Sequence, residues 1–195
     1  MFHLPIVKDY LKHRLKAKTR HGLHSPFVYR LVDEVVYDFS EKKVISDLET
    51  QQISVNQRQR VKKLNRLLFR LMADRQLKHL VLLGNVSSST QAYMQMAAAD
   101  VTISYQLDNS PAKLDVVLID IKNDTEAREY FERCLPHIDE HTLIILKNIY
   151  FTNGLKMLWH DIKANQQVTV TVDLFMVGLI YFRKGQARED FWIRF

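Results

Sequence analysis

The sequence predicts a doubly wound α/β domain behind a helical N-terminal segment. Apolar residues recur at helical spacing through the first 78 residues, whereas from residue 79 short apolar runs alternate with helical stretches. The chain closes with two strand-like runs whose separation is too short for a helix, which predicts an antiparallel pair. We therefore expect a basic helical cap over residues 1–78 and an α/β domain over residues 79–195.

The N-terminal segment contains three predicted helices. They span residues 4–17, about 26–39 and 54–74, with a polar connector over residues 40–53. In the motif HGLHSPF between the first two helices, Gly22 can end one helix, and Ser25 followed by Pro26 can begin the next. The first helix carries an apolar stripe at four positions, namely Leu4, Val7, Leu11 and Leu15.

The second part of the chain alternates strands and helices. The predicted strands cover residues 79–84, 101–107, 114–120, 142–148, 168–175 and 177–183, and the predicted helices cover residues 88–99, 124–134 and 154–164. The strand over 114–120 ends in Asp120, at the carboxyl edge where doubly wound folds bind ligands. Asp120 is therefore a candidate functional residue, although an aspartate there can also serve the following turn.

Composition excludes several classes of protein. The 195 residues are 47% hydrophobic, which suits a globular chain, and no apolar run is long enough for a membrane span. The N-terminus lacks a secretory signal, and the single cysteine, Cys134, excludes an internal disulfide. We expect a cytoplasmic protein with no membrane partner. The five glycines are too far apart for the usual nucleotide-binding loops.

Positive charge is concentrated in the first part of the chain. Residues 1–78 hold 17 of the 28 Lys and Arg residues but only 8 of the 22 acidic residues. Basic residues recur every four positions along two predicted helices, as Lys8, Lys12 and Lys16 and as Arg58, Lys62, Arg66 and Arg70. Such stripes can bind an anionic partner such as nucleic acid or an acidic protein, or can simply face solvent. Both interpretations stay open.

Four stretches resemble one known family. They are HGLHSPFVYRLV, LDVVLID, YFERCLPHIDEHTLIIL and TVTVDLFMVGLIYFRK with the terminal FWIRF. Over most of its length the chain is similar to a bacterial branch of the class I S-adenosylmethionine (SAM)-dependent methyltransferases, related to the catechol-type O-methyltransferases. The resemblance implies a Rossmann-like sheet with antiparallel C-terminal strands, an N-terminal helical cap and, in an active member, SAM as the methyl donor.

The resemblance also implies which residues would surround the ligands. The cofactor side would be formed by Gly84, Asn85, Ser87, Ser88, Asp108 and Asp120. The substrate side would be formed by His21, His24, Asn148 and Tyr150. No catalytic residue is assigned. The stretch from Gly84 to Ser89 has a second interpretation, because Ser88 with Gln91 forms a capping box for the following helix.

The ligand positions depart from the family pattern. The acidic residue expected in the first strand is replaced by Leu82 or Leu83. The metal-dependent branch has an aspartate after its fourth strand, which Asp120 matches, and an Asp-Asn or Asp-Asp pair after its fifth, where this chain has Lys147 and Asn148. A lysine repels Mg²⁺, which prefers oxygen ligands, so we expect no metal. Lys147 could instead form an ion pair with Asp120.

The connection after the second strand is also short. Only residues 108–113 separate the predicted strands 101–107 and 114–120, whereas a parallel crossover usually needs a dozen residues or more. Either residues 101–107 form an antiparallel hairpin or this edge of the sheet is abbreviated. In both cases the wall that would hold adenine should be reduced.

Three functions follow from these observations. The first is a SAM-dependent methyltransferase-like protein with weakened or lost cofactor binding. The second is a catalytically silent module that binds a protein or another small molecule. The third is a basic nucleic-acid-binding protein that uses residues 8–20 and 58–70. The sequence leaves the methyl acceptor and the oligomeric state open.

Overall fold

The computed structural model describes residues 4–40, 43–52, 59–107 and 113–195, and the chain folds into two compact units. The sheet unit comprises residues 1–21, 79–85 and 102–195, and the helical unit comprises residues 22–78 and 86–101. The division at residue 78 stays a prediction of the sequence. In the structure the N-terminal helix belongs with the sheet rather than with the other early helices.

The sheet unit contains seven strands within the described residues. They are β1 (His79–Gly84), β2 (Thr102–Ser104), β3 (Val116–Asp120), β4 (Leu143–Lys147), β5 (Val170–Asp173), β6 (Val177–Tyr181) and β7 (Glu189–Trp192). Their order across the sheet is β2-β1-β3-β4-β6-β5-β7. Strands β1 to β4 are parallel to one another, and β6 is antiparallel to both β4 and β5. This confirms the predicted α/β class and the antiparallel C-terminal pair.

The β2 edge resolves the two alternatives left by the short connection. β2 has three residues and pairs parallel with β1, so the predicted hairpin is wrong and the abbreviated edge is confirmed. β3 lies on the other side of β1, which means that β2 and β3 are not neighbours. Leu107 and Leu114, on either side of the short connection, are buried in the core of the unit, and this burial anchors its two ends.

The other edge of the sheet contains a strand that the sequence did not predict. β7 pairs parallel with β5, and Lys18 extends this edge through an isolated bridge to Ile193. The helix α1 (Leu4–Lys16) ends six residues before Gly22. It ends there because the chain after Lys16 joins the sheet edge. Gly22, with φ of 88°, lies in the turn that follows rather than at the helix end.

Two helices cover one core of the sheet unit. They are α6 (Asp124–Cys134), which a short 3₁₀ turn follows, and α7 (Asn153–Ala164). Phe131 of α6 and Trp159 of α7 pack with the strand residues Ile119 and Ile144. Cys134 is fully buried in this cluster, and burial raises the pKa of its thiol to about 12, so it stays protonated at neutral pH.

Among the described residues, the helical unit contains four α-helices. They are α2 (Pro26–Arg30), which continues into a π-helical turn over Leu31–Val36, α3 (Lys43–Gln52), α4 (Gln59–Ala73) and α5 (Ser88–Ala97). Ser25 caps α2 and Pro26 occupies its first turn, as predicted. The polar connector predicted over residues 40–53 is wrong, since most of it is helix α3. None of the described helices is long and apolar enough to cross a membrane.

Candidate functional site at the carboxyl edge of the sheet

All the described strands except β6 run in the same direction and end at the same edge of the sheet. β1, β3 and β4 are parallel and end at Gly84, Asp120 and Lys147. β5 has the same direction as β4, since both are antiparallel to the strand β6 between them, and it ends at Asp173. The carboxyl edge of a doubly wound sheet is where ligands normally bind. Two aspartates therefore lie at the position where a functional site is expected.

Gly84 occupies a point of close backbone approach. Its φ is 88°, and a Cβ atom there would lie 2.3 Å from Cγ1 of Ile121 and 2.6 Å from the carbonyl oxygen of Asp120. The amide of Asn85 donates to the same carbonyl oxygen at 3.0 Å. Packing between β1 and the end of β3 is thus sufficient to require glycine here. The backbone amide of Asn85 is already used within the protein.

The carboxylate of Asp120 is held by the end of the neighbouring strand. The ammonium group of Lys147 donates to Oδ2, and Nδ2 of Asn148 donates to Oδ1 at 3.1 Å. The side chains of Asp120 and Lys147 are only 13% and 14% exposed. Asn148 adopts a positive φ of 64°, which asparagine tolerates better than most residues. The ion pair between Asp120 and Lys147 that the sequence predicted is confirmed.

These three residues do not fit a divalent cation. Mg²⁺ needs several oxygen ligands, whereas the group nearest to Oδ2 of Asp120 is a cation. The side-chain oxygen of Asn148 is the one remaining neutral ligand in the trio, since its amide nitrogen faces Asp120. A metal here would have to displace the Lys147 ammonium and tolerate its charge.

A second aspartate, Asp173, has more partners and is more deeply buried. Its Oδ2 accepts from the hydroxyl of Tyr150 at 2.7 Å and from Nε1 of Trp159 at 3.0 Å. Its Oδ1 accepts from the amide of Phe175 at 2.9 Å. Nε2 of His13 lies 3.0 Å from both Oδ1 and the carbonyl oxygen of Asp173, so this nitrogen must carry the proton. Each carboxylate oxygen thus has two donors, so all four lone-pair sites of Asp173 are occupied.

Aromatic rings surround this buried group. The rings of Tyr150 and Phe175 stack with centroids 4.9 Å apart, and Tyr10 meets Phe175 edge-on at 5.1 Å. Burial, together with the negative charge of Asp173, raises the pKa of Tyr150 well above its ordinary value. The Tyr150 hydroxyl is therefore a hydrogen-bond donor to Asp173 and a poor proton acceptor for a substrate.

The sequence analysis did not single out Asp173 or His13. Asp173 ends β5 at the carboxyl edge in the same way as Asp120 ends β3. The predicted strand extended to residue 175, which placed Asp173 inside the strand instead of at its end. His13 lies on the opposite side of α1 from the leucines, between the partly buried Ile6 and the buried Ala17. One polar residue on the buried face of a helix is a signal that it has a partner.

The fold matches solved methyltransferase structures. The O-methyltransferase TomG from Streptomyces achromogenes, in complex with SAM, aligns with a TM-score of 0.51 over 78% of this chain and 95% of TomG, at 12% identity. The methyltransferase PaMTH1 from Podospora anserina, in its SAH-bound form, aligns with a TM-score of 0.53 over 83% of this chain and 98% of PaMTH1, at 9% identity. No protein-family model matches the sequence, and comparison with curated proteins finds no significant match.

The chain has the class I methyltransferase-like fold. At 9–12% identity the likeness establishes the fold alone. In this methyltransferase-like fold, Gly84 and Asp120 lie at the carboxyl edge where the sequence resemblance expects the cofactor side. Leu82 and Leu83, one of which replaces the expected acidic residue, are both buried in the sheet.

The serines after β1 belong to the helical unit, where Ser87 caps α5. The Ser87 hydroxyl accepts from the amide of Thr90 at 3.2 Å, and Thr90 in turn donates to Asn65 of α4 at 2.9 Å. The structure confirms a helix cap but corrects its position, since the sequence assigned it to Ser88. Ser88 is exposed in the first turn of the helix.

The other predicted ligand residues are distributed between the two units. Asn148 and Tyr150 lie in the sheet unit, where they donate to Asp120 and Asp173 respectively. His21 is exposed at the end of the first segment of the sheet unit, and His24 is exposed in the helical unit. Asp108 lies outside the described residues.

The basic stripe predicted on α4 is interrupted. Arg58 lies outside the described residues, and Arg70 is buried, donating to the carbonyl oxygens of Val35 and Val36 at 2.6 and 3.2 Å. Arg70 therefore satisfies the end of the π-helical turn instead of facing a ligand. Arg66 makes a two-point ion pair with Glu49. Lys62 remains partly exposed, and nucleic-acid binding stays a prediction.

Proposed function

We propose that this chain is a methyltransferase-like protein whose binding of SAM is weakened or lost, and that it acts as a non-catalytic binding module. The observation that carries the proposal is the ion pair between Lys147 and Asp120. In this pair the negative charge of Asp120 at the carboxyl edge is already neutralised by Lys147, without a ligand. Metal-assisted transfer would need a divalent cation at this place, and the residues present do not fit one.

Strand β1, which ends at the expected donor site, adds support. A class I donor site needs groups that recognise the amino and carboxyl groups of the methionine part, and Leu82 and Leu83 supply none from their side chains. Gly84, the one retained glycine, has a sufficient explanation in its packing against Asp120 and Ile121. Its presence is therefore weak support for donor binding.

The abbreviated edge supports the same conclusion from a different region. β2 has three residues, and it is the outermost described strand on that side of β1. A short edge strand offers fewer backbone and side-chain contacts to the adenosine part of a donor. The Lys147–Asp120 ion pair, the leucines of β1 and the short β2 thus affect three different positions, namely those of the metal, of the methionine part and of the adenosine part.

The alternative is an active, metal-independent methyltransferase. It draws support from the fold, because TomG was solved with SAM and PaMTH1 with SAH. In that case SAM would supply the methyl group, and this chain would contribute proximity and orientation. Asp120 would then have to recognise the donor while bound to Lys147.

Calorimetry distinguishes the two functions. We expect no heat of binding when the full chain is titrated with SAM or with S-adenosylhomocysteine up to millimolar concentration, with or without Mg²⁺. Binding in the micromolar range would overturn the proposal and favour the active enzyme.

A single substitution tests the part assigned to Lys147. The variant Lys147→Asp places two carboxylates and Asn148 together, a set of oxygen ligands that suits Mg²⁺. We expect Mg²⁺ to raise the melting temperature of this variant and to leave that of the wild type unchanged. The variant Lys122→Asp removes a nearby exposed lysine and serves as the control.

A further inference from the structure

Helix α1 turns three residues of its apolar stripe away from the protein. Val7, Leu11 and Leu15 are 44%, 56% and 89% exposed, whereas His13 and Ala17 are buried. On a helix of 3.6 residues per turn these two sets lie on opposite sides, about half a turn apart. An apolar stripe normally marks the side on which a helix packs against the protein. In α1 the apolar stripe faces solvent and a polar residue, His13, lies on the packed side.

The buried side of α1 is firmly attached to the sheet unit. His13 is bound to Asp173, and Asp9 forms an ion pair with Lys156 of α7 at 2.8 Å. Tyr10 packs against Phe175. Rotating the helix to bury its leucines would break all three interactions. The exposed stripe is therefore a consequence of specific contacts on the other side.

Basic residues border the stripe. Helical geometry places Lys8 and Lys12 along one side of the leucines and Arg14 along the other, and all three are exposed. The stripe is about one residue wide at each turn, which is typical of a helix–helix seam with charged flanks. The one acidic residue of α1, Asp9, lies towards the protein and is already paired.

We propose that this outward face of α1 is a docking surface for an acidic amphipathic helix of a partner protein. Leucines of the partner would pack between Val7, Leu11 and Leu15, and glutamates or aspartates beside them would pair with Lys8, Lys12 and Arg14. The surface lies on α1 and is independent of the donor site. The proposal therefore stands whether or not the chain binds SAM.

Two other occupants fit less well. A second copy of the chain would bring the lysines of both α1 helices together without an acidic residue to offset them. A membrane surface favours a wider apolar face with aromatic anchors, whereas this stripe is narrow and consists of valine and leucine. Charge complementarity thus selects an anionic helix.

Fluorescence anisotropy with two synthetic peptides tests the proposal. Both peptides carry leucine at the seam positions of a helix; one has glutamate and the other lysine at the flanking positions. We expect the full chain to bind the glutamate peptide with micromolar affinity and the lysine peptide at least tenfold more weakly. The variant Leu11→Gln/Leu15→Gln, which keeps helix propensity, should lose at least tenfold in affinity at an unchanged melting temperature.

Charge reversal provides the sharper test. The variant Lys8→Glu/Lys12→Glu should invert the preference and bind the lysine peptide more tightly. Lys78→Glu/Lys184→Glu, which changes the net charge equally at exposed positions elsewhere, should leave the preference as in the wild type.

Three results would overturn the proposal. One is equal binding of both peptides. Another is binding to phosphatidylserine vesicles, lost in the leucine variant, with no binding of either peptide. The third is self-association of the wild type that disappears in the leucine variant, since the face would then join two copies of the chain.

Discussion

Asp120 and Asp173 end two strands at the same edge of one sheet, yet the protein holds them in different ways. Asp120 keeps 13% of its side chain exposed, and its two side-chain donors come from consecutive residues at the end of β4. Asp173 keeps 2% exposed, and its donors come from α1, from the loop after β4, from α7 and from its own hairpin. One carboxylate joins neighbouring strand ends, and the other joins four parts of the chain.

Position at the carboxyl edge therefore does not by itself define a ligand site. A carboxylate that accepts from four donors has little capacity left for a ligand, and it stabilises the elements that supply those donors. A carboxylate with two donors and some access to water can change partners more easily. Of the two, Asp120 is the carboxylate that could contact a ligand, and its ion pair with Lys147 would have to open first.

Removing each carboxylate in turn gives the largest expected effect. Asp173→Ala should lower the free energy of unfolding by about 3–5 kcal/mol, because it leaves the buried His13 and Trp159 and the partly buried Tyr150 without their acceptor. Asp120→Ala should lower it by about 1–2 kcal/mol, since Lys147 can reach solvent. Urea unfolding measures both. Equal losses would show that the two aspartates have the same structural weight.

Removing the cation tests the Asp120 cluster alone. Lys147→Met keeps most of the aliphatic side chain but leaves Asp120 with one side-chain donor, and should reduce the free energy of unfolding by about 1–2 kcal/mol. Lys122→Met, at an exposed position on the following loop, should change it by less than about 0.5 kcal/mol. No difference between these variants in urea unfolding would mean that the ion pair contributes nothing to stability.

The smallest expected effect is on how stability depends on alkaline pH. This effect belongs to the Asp173 cluster, because that cluster contains Tyr150. Because the pKa of Tyr150 is raised in the folded state, its contribution to stability is complete below the unfolded pKa near 10 and is lost as the pH rises above it. Between about pH 9.5 and 10.5 this loss amounts to about 0.7 kcal/mol. Tyr150→Phe should flatten the alkaline decline by that amount. An unchanged decline would exclude Tyr150 as its source.

Local sequence patterns predicted the centre of the sheet well and its periphery poorly. β1, β3 and β4 are continuous apolar runs because both faces are covered, and this pattern is readable without a structure. α3 has no such pattern. Its order depends on Ile45 packing with Phe69 and Tyr93, and on Glu49 accepting from Arg66 and Tyr93. A helix stabilised by distant partners leaves little trace in its own residues.

The candidate site also has a part that local patterns predicted and a part that they did not. Parallel strands end at one edge, so the positions of Asp120 and Lys147 at successive strand ends were enough to predict their ion pair. The run of serines after β1 predicted a helix cap, but the sequence assigned it to Ser88 and the structure places it at Ser87. Neighbouring serines are equally good caps, so the sequence alone does not choose between them.

Local sequence patterns encode the alternation of strands and helices, the antiparallel end of the sheet and the polar residues at its carboxyl edge. These follow from short-range periodicity and from strand direction, which neighbouring residues encode. Long-range contacts determine which side of α1 is buried and which aspartate has all its acceptor sites occupied. His13 and Asp173 are 160 residues apart in the chain, and no local pattern can express a hydrogen bond that folding alone brings together.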